Sequence, residues 1–299
     1  LRIVKGAPGQ CEAVPGRRGG VQLVSLDPKA CNSFSTVSHE MAHVIGVMHT
    51  MSRGDRDQYV KLDLKNVQHN RQHNFKKDPS LGSFGVPFEF GSNMNYVWNG
   101  FGIDRTKPTI GVNANFSAFA RSLRGHRPSF YDVLLVNRYY MCTAKCDASS
   151  TRCSNGGYPN VDDCSICTCP EGWGGPTCEE KPDGCSEELG TTNEWRSLNA
   201  TLEPESDDQI TYTTCSYVIQ ASKGKRIEVK VADLKTASVD YGCRDNGVEL
   251  KYSVDLRPRG VRVCVRKPNS TFTSESSRFV VLLWTKHSHI NVSISYRAV

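Results

Sequence analysis

The stretch His39-Glu40-Met41-Ala42-His43-Val44-Ile45-Gly46-Val47-Met48-His49 decides how this chain is read. Ser38 to Val47 has helical spacing, and His39 and His43 fall one turn apart on one face of it. Two imidazoles so placed can reach a single ion about 2.0–2.1 Å from each. Gly46 ends the helix: lacking a Cβ, it takes the left-handed conformation, and the chain turns so that His49 approaches the same metal from a third direction. Glu40 sits beside these ligands rather than among them, where it can act as general base on a zinc-activated water and later pass a proton to a leaving amine. Two blander readings compete. Either the spacing arose by chance in a packed helix and turn, or the site is a closed structural zinc site, which needs a fourth protein ligand.

Working outward, residues 1–142 mix a strand-like Leu1 to Lys5, an alternating Val21 to Leu26, the helical stretch above and long loops rich in Gly, Asn and Pro. Residues 143–180 hold six cysteines between Cys146 and Cys178 and too little apolar matter for a core, so disulfides must hold them. Glu179 to Gly184 reads as a linker. From 185 to 299, short β-branched runs recur between turn signals: Tyr217 to Ala221, Arg226 to Val231, Val248 to Val254, Val261 to Val265 and Phe279 to Trp284. An all-β sandwich is the expectation there.

The 299 residues suit two or three modules, and the longest apolar run, Phe279 to Trp284, is far too short to span a membrane. A net charge of +6 is mild for this length, and the Arg and Lys residues are scattered except around Arg257 to Lys267, which argues against nucleic acid as a partner. Thirteen cysteines point to an oxidising compartment and hence to secretion. Sequons at Asn115, Asn199, Asn269 and Asn291 agree with that route. No initiator Met or signal peptide precedes Leu1, and the chain reads as N-terminally incomplete.

The zinc stretch fits the HExxHxxGxxH pattern of metzincin proteases and runs on into Thr50-Met51-Ser52-Arg53-Gly54-Asp55-Arg56-Asp57, where it resembles the astacin family. A second match, Ser92-Asn93-Met94-Asn95-Tyr96, resembles that family's Met-turn. Gly9-Gln10-Cys11, Gly19 to Leu26, and Phe130-Tyr131-Asp132-Val133 through Cys142 have astacin-like counterparts as well. The resemblance implies an α+β zincin-like catalytic domain with His39, His43 and His49 on one Zn2+, Glu40 as base, Gly46 at the turn and Met94 forming a floor under the metal. It also implies that Tyr96 is a switchable ligand whose hydroxyl hydrogen-bonds the developing oxyanion. Val21, Gln22, Leu23, Val24, Ser25 and Leu26 would be the edge strand that pairs with an extended substrate. Two positions depart from the family: Thr50 stands where it usually has a Glu tied to the mature N-terminus, and Asn95 replaces a non-ligand His.

Residues 143–180 resemble an EGF-like module and 185–299 a CUB-like sandwich. The implied disulfides are Cys11-Cys31, Cys146-Cys164, Cys153-Cys167, Cys169-Cys178, Cys185-Cys215 and Cys243-Cys264. Cys142 is left over, its family partner falling before Leu1. Asp240 and Asp245 are candidate Ca2+ ligands in the CUB-like part, though solvated loop acids are the plainer reading. His69 and His73 lack a third ligand, and the Arg53-Gly54-Asp55 tripeptide falls in a segment expected to be structurally engaged rather than adhesive. The basic stretch from Arg257 to Lys267 is expected to face water.

The resulting expectation is a secreted zinc endopeptidase acting on extracellular proteins or peptides such as matrix or cuticle proteins. The alternative, prompted by Thr50, is a catalytically impaired zinc-binding interaction protein of the same family. Serralysin-like or adamalysin-like enzymes are disfavoured by Arg53 to Asp57 and by the modules that follow.

Overall fold

Short runs of β-branched and aliphatic residues at the N-terminus build the first sheet. In the computed structural model, which describes residues 1–146, 151–205, 211–236, 241–265 and 270–299, the strands β1 (Arg2–Lys5), β2 (Cys11–Ala13) and β3 (Leu23–Leu26) are ordered β1-β3-β2. β3 pairs in parallel with β1 and antiparallel with β2, so both its edges are taken. The expected substrate edge strand is thereby corrected. Leu23, Val24, Ser25 and Leu26 lie inside the sheet, and Val21 and Gln22 precede the strand, with the Gln22 amide donating to the Val14 and Gly16 carbonyls. Alternation reports that a segment is a strand; it says nothing of how many neighbours the strand acquires. The outer edge beside the helix belongs to β2, which the disulfide Cys11–Cys31 ties to the loop leading into that helix.

The helix α1 (Phe34–Val44) begins four residues earlier than its apolar spacing suggested. Ser33 caps it by accepting from the Thr36 amide at 3.2 Å. It ends at Gly46, whose φ of +88° allows the amide to return to the His43 carbonyl at 2.8 Å. Beyond α1 the first unit, Leu1–Tyr139, is mostly turns and 3₁₀ segments around an aromatic core that includes Phe75, Phe88, Phe90 and Tyr96. The strands β4 (Val60–Leu62) and β5 (Ile110–Val112) pair antiparallel across this core, and α2 (Phe130–Tyr139) buries Phe130, Tyr131 and Leu134.

Two structural arrangements fill the second unit, Tyr140–Val299. A cysteine-rich segment carries a minimal antiparallel pair, β6 (Tyr158–Pro159) and β7 (Cys167–Thr168), and disulfides Cys146–Cys164, Cys153–Cys167 and Cys169–Cys178. A β-sandwich follows, built from β8 (Ser186–Gly190), β9 (Arg196–Leu202), β10 (Thr213–Gln220), β11 (Ile227–Thr236), β12 (Asn246–Lys251), β13 (Val261–Val263), β14 (Thr271–Thr273), β15 (Arg278–Thr285) and β16 (Ile290–Ala298). One sheet runs β13-β12-β15-β10-β8 and the other β14-β11-β16-β9. Their inner faces meet in an apolar core with Ile219, Ile227, Val248, Leu250, Phe279, Val281 and Ile294 essentially inaccessible. Cys185–Cys215 and Cys243–Cys264 brace this sandwich.

The cysteine-rich segment does not stand on disulfides alone. Trp173 packs with Val218, Val280 and Leu282 of the five-stranded sheet, and Glu171 pairs with Arg259 at 2.9 Å. Arg259 and Arg262 also flank the buried Glu249, each at 3.6 Å, and the Gly260 amide donates to Glu249 at 2.8 Å. The basic stretch expected to face water is therefore buried in part, because Glu171, distant in sequence, and Glu249, opposite Arg262 on the paired strand, neutralise it. Asp240 and Asn269 lie outside the described residues.

Candidate metal centre

The three histidines come together. His43 Nε2 lies 3.1 Å from His49 Nε2, and His49 Nε2 lies 3.2 Å from His39 Nε2. The protonation pattern tells what these contacts are. His39 Nδ1 is 2.8 Å from the Asn93 carbonyl and His43 Nδ1 is 2.8 Å from the Val47 carbonyl. Carbonyls only accept, so each ring carries its proton on Nδ1 and presents a bare Nε2 lone pair. One proton on His49 cannot satisfy both lone pairs, whereas a cation between them satisfies all three. Ligand bonds of about 2.0–2.1 Å in tetrahedral geometry put nitrogens roughly 3.3–3.4 Å apart, close to the spacings found. His39, His43 and His49 form a cluster of metal-ligating type among the described residues, and its donor set fits Zn2+.

Burial keeps the rings neutral and ready to ligate. His39 is lowered to about 3, chiefly by desolvation and then by the charge of Arg124. His43 and His49 are lowered too, again first by desolvation. Glu40, 5% exposed, is pushed up to about 7 by burial, against a hydrogen bond from the Ala13 backbone that favours its ionised form. That bond places β2 against the carboxylate. Tyr96 packs edge-on to His49, ring centroids 4.5 Å apart, and burial lifts its hydroxyl to about 12.

The Met-turn is tied to the histidines through the backbone. Thr50, directly after His49, donates its amide to the Met94 carbonyl at 2.9 Å and its hydroxyl to Ser92 at 2.8 Å. Ser92 in turn donates to Asp132 of α2, which also accepts from the Asn93 amide at 2.9 Å. Asn93 donates to Ser35 and Ser38 of α1 and accepts from the Ser35 hydroxyl. Ser35, Ser92, Asn93 and Asp132 thus fix the second layer of the site, though the motif reading gave none of them a role; their signal is polarity at positions wholly or partly buried. Thr50 borders a cavity of about 240 Å³ that also meets Glu89 and Asp132. Asn95, fully buried, accepts from the Tyr96 amide and donates to the Phe90 carbonyl. Met94, 2% exposed, is likewise buried.

Other candidates fall away from the centre. His69 and His73 are exposed on a 3₁₀ segment, whose three-residue turn does not align positions four apart. Arg53 is buried, pairs with Asp55 at 2.8 Å and donates to the Val86 carbonyl, so the tripeptide is engaged internally.

The family pattern of the astacin peptidases matches residues 1–141. Zinc metalloproteinase nas-25 of Caenorhabditis elegans is 30% identical over 300 residues, covering 97% of this chain and 74% of the relative. The chain belongs to the astacin family. Zinc metalloproteinase nas-31 of the same worm is 32% identical across 100% of this chain, which spans 49% of that relative. The chain therefore covers about half the length of that relative. Among solved structures, high choriolytic enzyme 1, a hatching enzyme zinc-protease of the medaka Oryzias latipes, aligns with 26% identity and a TM-score of 0.43 over 46% of this chain and 67% of its own. The cofactor of this astacin domain is one Zn2+, which the histidine trio fits.

Proposed function

We propose that this astacin is a secreted zinc endopeptidase that cleaves extended protein or peptide chains outside the cell. The observation that carries the reading is the convergence of three neutral imidazoles beside a buried carboxylate that itself touches an open strand edge. His39, His43 and His49 hold the metal; zinc, when bound, supplies a Lewis acid that polarises a carbonyl and makes water nucleophilic near neutral pH. Glu40 takes the proton of the attacking water and returns one to the leaving amine. Tyr96, kept protonated by burial, donates its hydroxyl to the oxyanion.

Substrate pairs with the outer edge of β2, Cys11–Ala13, in place of the strand expected from the sequence. Ala13 contacts Glu40, so a peptide bond aligned there lies within reach of the base. The six disulfides of the described chain support an oxidising, extracellular destination, and no helix among the described residues is long and apolar enough to cross a membrane. The EGF-like reading of residues 143–180 and the CUB-like reading of 185–299 make the second unit a substrate-selecting or locating body, with matrix or cuticle proteins as the substrate class.

The test is hydrolysis of denatured matrix protein and of short peptides by the full-length protein secreted under its own leader. Zinc-dependent cleavage that Glu40→Gln lowers by about 10²–10⁴-fold while zinc stays bound supports the reading. Stoichiometric zinc with no cleavage of any extended substrate would instead favour the impaired, binding-only alternative.

A further inference from the structure

The sandwich has two outer faces, and the chain covers one of them itself. On the five-stranded sheet, Val218, Val280 and Leu282 point outward and meet Trp173 of the cysteine-rich segment. The four-stranded sheet is different. Leu198 and Leu202 of β9 and Ile290, Val292 and Ile294 of β16 turn into the core. The alternate residues turn outward: Ser197, Asn199 and Thr201 on β9, and Asn291, Ser293 and Ser295 on β16. All six are small and polar; Trp195, just before β9, adds an aromatic ring to the same sheet, where it lies against Lys230 of β11 and Arg297 of β16.

Two sequons lie in that face, aligned residue for residue. In the antiparallel pair, Asn199 opposes Ser293, Ala200 opposes Val292 and Thr201 opposes Asn291. Thr201 Oγ1 donates to Asn291 Oδ1 at 2.6 Å, and Ser293 Oγ donates to Asn199 Oδ1 at 2.7 Å. Each sequon's hydroxyl therefore serves the other's asparagine, although the partners are 90 and 94 residues apart in the chain. The two asparagines are diagonal neighbours, roughly 7–8 Å apart on one face.

We propose that Asn199 and Asn291 are both N-glycosylated and that the adjacent glycans cover the outer face of the four-stranded sheet. The proposal rests on the secretory route argued above. The donor is a polyprenyl-pyrophosphate-linked oligosaccharide: asparagine Nδ2 forms a C–N bond to the anomeric carbon, the C–O bond to pyrophosphate breaks, the lipid pyrophosphate leaves and the amide proton passes to a base. On the unfolded chain the two sequons are remote, so neither obstructs the other, and folding then sets the glycans side by side. With one face carrying the cysteine-rich segment and the other carbohydrate, the sandwich has its strand edges and loops left for protein contacts.

The experiment uses the full-length protein secreted from eukaryotic cells behind a heterologous leader, so that its outcome does not depend on the protein's own address. Peptide N-glycosidase treatment in heavy-oxygen water followed by peptide mapping reads occupancy at each site. Both asparagines are expected to carry the heavy-oxygen deamidation mark, and Asn199→Gln and Asn291→Gln are each expected to remove one glycan from the intact mass. Either site recovered mainly unmodified from folded, secreted protein overturns the proposal, whether or not the variants express. Ser295→Cys tests the covering: a bulky maleimide should react several-fold faster after the glycans are removed, and equal rates contradict a covered face.

Discussion

The two units of this molecule are held in opposite ways. In Leu1–Tyr139 the buried set is rich in groups that cost free energy to bury, among them His39, Glu40, His43, Arg53, Arg56, Ser92, Asn93 and Asn95. Their partners are specific atoms, as where Arg56 donates to the Met51 and Phe75 carbonyls. In Tyr140–Val299 the sandwich core is aliphatic and aromatic and strands pair in long registers, while the buried ions Glu249, Arg259 and Arg262 pair with one another outside that apolar cluster. Chemistry demands exact neighbours, so the first unit spends its interior on orientation; the second has only to present surfaces, and area suffices.

That contrast can be broken or sharpened by substitution, and the largest effect belongs to the metal ligands. His43→Ala is expected to take peptidase activity to background and to lower the melting of the first unit while the sandwich transition stays put; calorimetry of the full-length variant checks this, and a shared shift would erase the distinction. Glu40→Gln is expected to lower kcat by about 10²–10⁴-fold with zinc content unchanged by metal analysis. Trp173→Ala attacks the other unit: losing this packed ring should cost about 3–5 kcal/mol in the second unit's stability and leave kcat/KM for a short peptide unaltered.

A smaller effect is set by pH. Glu40 works as a base only when ionised, burial raises it to about 7, and a cation at the histidines favours the carboxylate, so the acid limb of kcat/KM should fall between the ordinary 4.5 and about 7. Activity is lost as pH drops through that limb, about tenfold per unit. A profile flat down to pH 4 would contradict Glu40 as the base. The smallest effect is expected at Thr50→Val, which removes the hydroxyl donated to Ser92 and should cost about 1 kcal/mol in the first unit. Thermal melting with zinc bound measures it.

The metal centre was legible because its spacing is local: positions 39, 43, 46 and 49 fall within one helix and one turn, where geometry follows from sequence alone. The sandwich was legible as a class because β-branched runs announce strands, and β10, β11, β12, β13 and β15 fall on the runs read that way. Legibility failed wherever the answer lay in a distant partner. Val21 to Leu26 announced a strand but not that β1 and β2 would flank it, and Arg259 and Arg262 read as solvated because Glu171 is remote in the chain and the strand register that sets Glu249 opposite Arg262 is not written in the local pattern. β16 is a different failure: Ile290, Val292, Ile294 and Tyr296 alternate cleanly with polar residues, so the pattern was present and went unused. Trp173 could not be placed from sequence, since nothing local says which surface an aromatic side chain in a cysteine-rich loop will cover.

The central claim is that one zinc ion is gripped by His39, His43 and His49 with an open position beside Glu40. X-ray absorption at the zinc edge of the purified full-length protein tests it most directly. One zinc per chain with three imidazole nitrogens at about 2.0–2.1 Å is expected, lost on chelation and absent from the triple His→Ala variant. A sulfur ligand, a closed shell of four protein ligands or zinc retained by the triple variant would contradict it.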